Sequence, residues 1–422
     1  MSAYRTRIMD AQLRRSLTTF GAVVIQGPRA AGKTTTARTI AKSSVRLDAS
    51  PELAAIASAS PRTILEGATP RLIDEWQLAP EIWNAVRHEV DERGKPGQFI
   101  LTGSATPTDT LTHHSGAGRF RRLTLRTMTL SESGESTEAV DFRTLLEGVS
   151  PYGIEGPTVP EYAALISRGG WPALVENPDI SYYDYLSSYL EDVARADLPA
   201  NDIRVDPQRM RALIRALARN VATEVTAEKL SREAELADSD EATTTISAQS
   251  VRKYLDALER VFVVEEQPAW APHLRSRIRL RTQPKWHFVD PSLAVAALGA
   301  GPDRLLSDLK TLGFLFESLC VRDLRVYAEA VGGNVYHYRD SSGLEIDCIV
   351  ETPAGNWAAF EVKLGGAKHI DEAAKNLKKL AAKVSEARRE RLRSLNVLTA
   401  GSISKPRPDG VNVLSLGHLT VS

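Results

Sequence analysis

The stretch Gly27-Pro28-Arg29-Ala30-Ala31-Gly32-Lys33-Thr34 decides how the first part of this chain folds. It meets the pattern G-x-x-x-x-G-K-[ST] at every fixed position. Glycines let such a loop curl until its N–H groups point inward, and the helix that follows turns its positive end toward an anion. Lys33 then reaches the β- and γ-phosphates of a nucleotide, and the Thr34 hydroxyl is placed for Mg²⁺. The expected cofactors are therefore ATP and Mg²⁺. The expected contacts are Gly27, Pro28, Arg29, Ala30, Ala31, Gly32, Lys33, Thr34 and Thr35. A plain glycine turn is the competing reading. It accounts less well for the apolar strand Ala22-Val23-Val24-Ile25-Gln26 just before the loop and the helix predicted over 33–42 just after it.

Strand and helix go on alternating beyond the loop, as a parallel α/β sheet requires. Short strands are predicted at 44–48, 71–74 and 98–102, with a helix at 82–92 between the last two. Leu72-Ile73-Asp74-Glu75 ends one of them in two carboxylates. At a strand's carboxyl end Asp74 suits the Mg²⁺ shell and Glu75 can polarise attacking water, which favours hydrolysis over binding alone. Phe99-Ile100-Leu101-Thr102-Gly103-Ser104 ends in hydroxyls, so Thr102 or Ser104 is placed either to sense a γ-phosphate or to form a turn. Arg119, after Gly116-Ala117-Gly118, is a candidate arginine finger for a neighbouring subunit, a reading that admits a homo-oligomer. A solvated arginine fits the sequence equally well.

Together the loop, Leu47-Asp48, the run Leu72-Ile73-Asp74-Glu75-Trp76-Gln77-Leu78-Ala79-Pro80-Glu81, Leu101-Thr102-Gly103-Ser104-Ala105 and Gly118-Arg119 resemble a prokaryotic AAA+ family. Its members join an AAA-type ATPase to a C-terminal domain of unknown function. The resemblance runs nearly the whole chain and implies ATP binding and hydrolysis.

A second constellation lies far downstream. Glu317 falls on a predicted helix, Asp347 on a strand, and Glu361-Val362-Lys363 closes the next strand, so Glu361 and Lys363 share a face. Glu317, Asp347 and Glu361 are candidate oxygen ligands for Mg²⁺, with Asp347, Glu361 and Lys363 as candidate catalytic residues of a phosphodiesterase. The order helix-Glu, strand-Asp, strand-Glu-x-Lys, helix resembles the PD-(D/E)XK restriction-endonuclease-like fold. A surface ion pair, or a fold kept only for binding DNA, would leave the same pattern.

Fifty-three basic and fifty-three acidic residues give zero formal net charge, so attraction to nucleic acid must come from local patches. Arg275, Arg277, Arg279 and Arg281 alternate with other residues and share one face if extended. Lys375, Lys378, Lys379, Lys383, Arg388, Arg389, Arg391 and Arg393 follow on a helix predicted to run to about 393. Solvated, charge-guarded surfaces are the alternative for both. Three helices and a strand over 207–266 outline a winged helix whose third helix, with Arg252 and Lys253, suits either groove reading or the role of a lid that makes only protein contacts. The start of the chain has no apolar signal region and no apolar run approaches a spanning length, so no membrane partner and a cytoplasmic location are expected. Cys320 and Cys348 read as two residues of one core.

The expected fold class is thus α/β: a P-loop AAA-type parallel sheet over 1–150, a helical and winged-helix middle over 151–284, and a restriction-endonuclease-like α/β domain over 285–422. The functional expectation is a Mg²⁺-dependent ATPase controlling a DNA-directed C-terminal domain. The alternative is a nucleotide-dependent switch or scaffold that binds a partner protein and has an inactive nuclease-like domain.

Overall fold

Five short apolar runs build the first sheet: β1 (Ala22–Gln26), β2 (Ser43–Arg46), β3 (Arg71–Asp74), β4 (Phe99–Gly103) and β5 (Phe120–Thr124). In the computed structural model, which describes residues 4–104, 116–197, 206–236, 246–272 and 282–421, they pair in the order β2-β3-β4-β1-β5. All four pairings are parallel. Helices cover both faces, which is why β1 and β4 are almost uniformly buried. The sequence reading left out β5, because Phe120-Arg121-Arg122-Leu123-Thr124 looks polar. Phe120 instead stacks on Trp83 with ring centroids 4.0 Å apart, and the Arg122 guanidinium lies 4.8 Å from the same ring system. The helix after the glycine loop, Lys33–Arg38, is shorter than predicted.

The chain then leaves the sheet through residues 125–134 and β6 (Val140–Asp141). Helices Val159–Arg168, Pro172–Glu176 and Tyr182–Asp192 follow. Next come Pro207–Arg219, β7 (Thr223–Glu224), Ala227–Leu236, Ala248–Arg260, β8 (Val264–Gln267) and β9 (Lys285–Phe288). β9 lies between β7 and β8 and is antiparallel to both. Helix, short strand, two helices and a two-stranded ribbon give the middle its winged-helix order. This pairing crosses the boundary expected between 284 and 285, since Lys285 opens the central strand of the middle sheet.

A 22-residue helix, Leu309–Ala330, leads into the last unit. Its strands are β10 (Asn334–Arg339), β11 (Glu345–Glu351), β12 (Trp357–Lys363), β13 (Leu392–Thr399), β14 (Lys405–Pro406) and β15 (Asn412–Ser415), in the order β10-β11-β12-β13-β15-β14. β10, β11 and β12 are antiparallel, whereas β12, β13 and β15 run parallel. Side chains alternate along β12. Ala358, Phe360 and Val362 pack with the long helix, while Trp357 and Ala359 pack under helix Ala367–Lys383. That second helix ends at Lys383 rather than near 393, because Val384 turns extended. A closing strand β16 (Leu419–Thr420) pairs with β6.

One hydrophobic cluster runs from Leu130 through the middle helices to Leu419. The middle and C-terminal units therefore share a core, and the buried free thiols Cys320 and Cys348 both belong to it.

Candidate functional site

The glycine loop leaves β1 at the carboxyl end of the sheet, where ligands of open α/β sheets bind. Gly27 has φ +145° and Gly32 has φ +98°. A Cβ on Gly27 would lie 2.1 Å from the Leu125 carbonyl oxygen, so the loop needs glycine there for space as well as for backbone angle. The buried Lys33 ammonium donates to the carbonyls of Gly27 at 2.9 Å and Pro28 at 2.7 Å.

The second part follows from strand register. β3 pairs with β4 so that Asp74 faces Thr102. Thr102 Oγ1 donates to Asp74 Oδ1 at 2.5 Å, and Thr34 Oγ1 donates to the same oxygen at 2.8 Å. The loop is thereby tied to the end of β3. Glu75 sits just beyond with left-handed backbone (φ 57°, ψ 42°), and its carboxylate accepts from Gln77 Nε2 at 2.5 Å. Thr34 and Asp74 are thus joined directly, with Glu75 the next residue along the chain and held by Gln77. Ser104 lies half-buried past the end of β4, and Arg29, Ala30 and Thr35 line the exposed side of the loop. Arg119 rests on Asp91 of helix Glu81–Arg93 at 2.8 Å, with both side chains about two-fifths exposed at 41% and 43%.

Two buried arginines missed by sequence reasoning tie this site to the rest of the molecule. Arg7 donates to the Ala31 carbonyl of the loop at 2.9 Å and to the Arg126 carbonyl at 2.8 Å, and it pairs with Glu132 at 3.1 Å. Arg126 pairs with Glu265 of β8 at 2.9 Å and with Glu329 of the long helix at 2.8 Å. Arg325 reaches Glu265 from the other side at 2.6 Å. Burial would raise the Glu265 carboxyl, but the two guanidinium groups outweigh it and hold it at about 2. Nearby, buried Asp290 accepts from Thr127 Oγ1 at 2.7 Å, Gly170 N at 2.9 Å and Arg322 at 2.9 Å.

The downstream residues line a cleft of about 1240 Å³. Glu317, Asp347, Glu361 and Lys363 all line it, together with Lys285 and Glu345. Lys363 Nζ sits 2.8 Å from Glu361 and 3.5 Å from Asp347 Oδ2. Lys285, buried on β9, places its ammonium 2.8 Å from Glu317, 2.8 Å from Glu345 and 3.5 Å from Asp347 Oδ1. Asp347 thus lies between two ammonium groups and also accepts from the Val362 N–H at 2.8 Å. Burial would raise Asp347, but Lys363 and Lys285 overcome it and hold the carboxyl low. Burial and the charge of Asp347 push Glu317 up to about 7 and Glu361 up to about 8. Lys285 stays an ammonium because the surrounding carboxylates outweigh its desolvation. Among the described residues, no group of three or more His, Cys, Asp or Glu side chains is arranged to hold a metal ion.

Sequence reasoning missed Lys285 and Glu345. Glu345 had a signal, since it lies two residues before Asp347 and so on the same face of β11. Lys285 had none, because a lone lysine before Trp286 belongs to no motif. The basic patches fare unevenly. Arg275, Arg277, Arg279 and Arg281 lie outside the described residues. Arg388 is committed to Glu351 at 2.9 Å and to the Trp270 ring, and Arg389 and Arg393 bond backbone and Asn356. Lys375, Lys378 and Lys379 remain exposed, as does Arg252, which pairs with Glu228. Among the described residues no helix is long and apolar enough to cross a membrane.

Residues 19–134 match the AAA domain family. That match stops close to where the chain leaves the parallel sheet. Residues 159–304 and 312–419 match two domains of unknown function, DUF8612 and DUF4143. Two relatives, the uncharacterized proteins Rv2008c of Mycobacterium tuberculosis and Mb2031c of Mycobacterium bovis, are each 29% identical over 357 residues, covering 84% of this chain and 72% of theirs. The Walker-type ATPase PABY2304 of Pyrococcus abyssi superposes with a TM-score of 0.39 at 14% identity, over 68% of this chain and 94% of that one, too loosely to bear on function. The AAA match and the parallel sheet with its glycine loop make the first unit a P-loop ATPase core, a nucleotide-binding fold.

Proposed function

We propose that the protein is a Mg²⁺-dependent ATPase whose nucleotide state is passed to a DNA-directed C-terminal cleft. The observation that carries the ATPase reading is the shared Asp74 oxygen, which joins Thr34 of the loop to the strand end that also bears Glu75. The loop glycines, the Thr34–Asp74 pair and the Lys33 ammonium fit ATP with Mg²⁺. Backbone N–H groups of residues 27–35 would hold the phosphates, and Thr34 and Asp74 would hold the metal. Bound Mg²⁺ neutralises phosphate charge. Lys33 must then exchange the Gly27 and Pro28 carbonyls for phosphate oxygen. Glu75, oriented by Gln77, takes the proton of the attacking water. Arg119 as a finger, and the second copy it needs, remain part of this proposal, as does a γ-phosphate role for Ser104.

A contiguous route for the coupling begins at the Ala31 carbonyl. It runs through Arg7 to the backbone of Arg126, and from the Arg126 side chain to Glu265 on β8. β8 pairs with β9, where Gln267 faces Lys285 of the cleft. The DNA reading rests on Lys310, Arg339, Lys379 and Lys383 around that cleft, and on the sequence pattern of the four arginines. One observation favours the alternative of a switch or scaffold: both lysines already neutralise the downstream carboxylates. A divalent cation does not fit that cluster as it stands, so no cleavage step is drawn through one.

The test combines nucleotide binding, phosphate release and DNA anisotropy. Lys33→Ala is expected to lose nucleotide binding. Glu75→Gln should bind normally and turn over about 10²–10⁴-fold more slowly, the usual worth of a positioned base. Wild-type turnover in Glu75→Gln would sink the hydrolytic role. Absence of DNA binding at low salt would favour the scaffold.

A further inference from the structure

We propose that Lys285 is the built-in cation of the C-terminal cluster, and that no divalent metal binds Glu317 and Asp347 while its ammonium is in place. The inference goes beyond the ATPase reading and stands on geometry in the cleft. Oxygens of Glu317, Glu345 and Asp347 surround one point at 2.8, 2.8 and 3.5 Å, and Lys285 Nζ occupies that point. Mg²⁺ and Ca²⁺ also take oxygen ligands, but at about 2.0–2.6 Å, so these carboxylates, spread to the reach of an ammonium, are not spaced for a metal and could close on one only in place of Lys285. The ammonium is well held. Its side chain is 3% exposed, and β9 is fixed on both sides by β7 and β8.

Lys285 reaches the cluster from outside the unit that supplies the carboxylates. Glu317, Glu345, Asp347 and Glu361 come from the long helix and strands β11 and β12, whereas Lys285 comes from the sheet of the winged-helix unit. The position is therefore set by how the two units pack. Lys363 is different, because it lies on β12 beside Glu361 and leans over Asp347 from the cleft. Removing Lys285 alone frees three carboxylate oxygens around a vacated site while leaving the Lys363 pair intact.

The experiment is Mn²⁺ titration followed by electron paramagnetic resonance, without nucleotide. The full chain is used in an Asp74→Ala background that removes the loop metal ligand. With Lys285 present, no Mn²⁺ signal dependent on Asp347 is expected. Lys285→Met should gain one, with affinity at least about tenfold tighter than any residual binding, as expected when a competing buried cation is taken out of an oxygen site. Adding Asp347→Asn should abolish the gain, and Lys285→Arg should not show it. Removing Lys285 leaves buried Glu317 without its cation and Asp347 with Lys363 alone, so Lys285→Met paired with Glu345→Gln, which removes the partly exposed third carboxylate, provides a milder variant that keeps Glu317 and Asp347. An Asp347-dependent Mn²⁺ signal in the chain that retains Lys285 overturns the proposal. So does the lack of any gain in folded Lys285 variants. Since nucleotide plays no part in the readout, either failure leaves the ATPase reading standing.

Discussion

Replacing Arg126 by glutamine tests whether the junction between the AAA domain and the rest is held by charge. Arg126 is 8% exposed and bonds both carboxylate oxygens of Glu265 at 3.0 Å. Glu265 is held at about 2 against an ordinary 4.5, which corresponds to roughly 3 kcal/mol of preference for the ionised form. Arg325 supplies part of that and remains in the variant. Removing one partner of a buried pair nevertheless typically costs about 3–5 kcal/mol, because the other charge stays buried. We therefore expect a loss of about 3 kcal/mol. This corresponds to a fall in Tm of roughly 6–12 °C for the cooperative unit that contains the junction. The pH dependence has a definite sign. A carboxyl with a depressed folded value stabilises above its unfolded value and loses that contribution as pH falls through the folded one. The gap between wild type and Arg126→Gln should therefore be full at pH 7 and close between about pH 4.5 and 2. Differential scanning calorimetry across that range provides the measurement. A gap under about 1 kcal/mol at pH 7, within the ordinary range of surface changes, would refute the reasoning.

Gly27→Ala should lower both stability and nucleotide affinity, since its Cβ would collide with the Leu125 carbonyl at 2.1 Å; melting and nucleotide titration together check it. Thr102→Val removes one of two hydroxyl donors from buried Asp74, and should cost about 1–2 kcal/mol by thermal melt while slowing phosphate release. Arg7→Met leaves Glu132 buried beside it without its cation, for an expected loss of about 3–5 kcal/mol in chemical denaturation. If Arg119 acts on a neighbour, mixing Arg119→Ala with Lys33→Ala chains should restore turnover that neither shows alone; no restoration would return Arg119 to its surface pair with Asp91.

The AAA core was legible because its chemistry is local. Gly27 to Thr34 is a contiguous motif, and Asp74-Glu75 ends a strand whose apolar run is visible in the sequence. β5 was not legible, because Arg122 covers Trp83 with its own guanidinium and a basic strand reads as surface. The downstream carboxylates could be grouped by strand alternation, since Glu361 and Lys363 are two apart. Lys285 could not be grouped with them. Its place depends on β9 pairing with β8 across residues 268–284 and on the packing of two units, which no local period records. Arg7 and Arg126 were hidden for the same reason, as each acts through partners more than a hundred residues away.

The continuous core from Leu130 to Leu419 bears on how such a chain can be inherited. The matched segments 159–304 and 312–419 are two halves of one interior, and the first lends the second a cleft side chain. A recombination that joined residues 312–419 to a different upstream gene would deliver Glu317, Glu345 and Asp347 without Lys285. That descendant would keep Lys363 beside Asp347 but would have to recruit another cation for buried Glu317 or lose it by substitution. Lineages built on the downstream segment alone should therefore differ at Glu317.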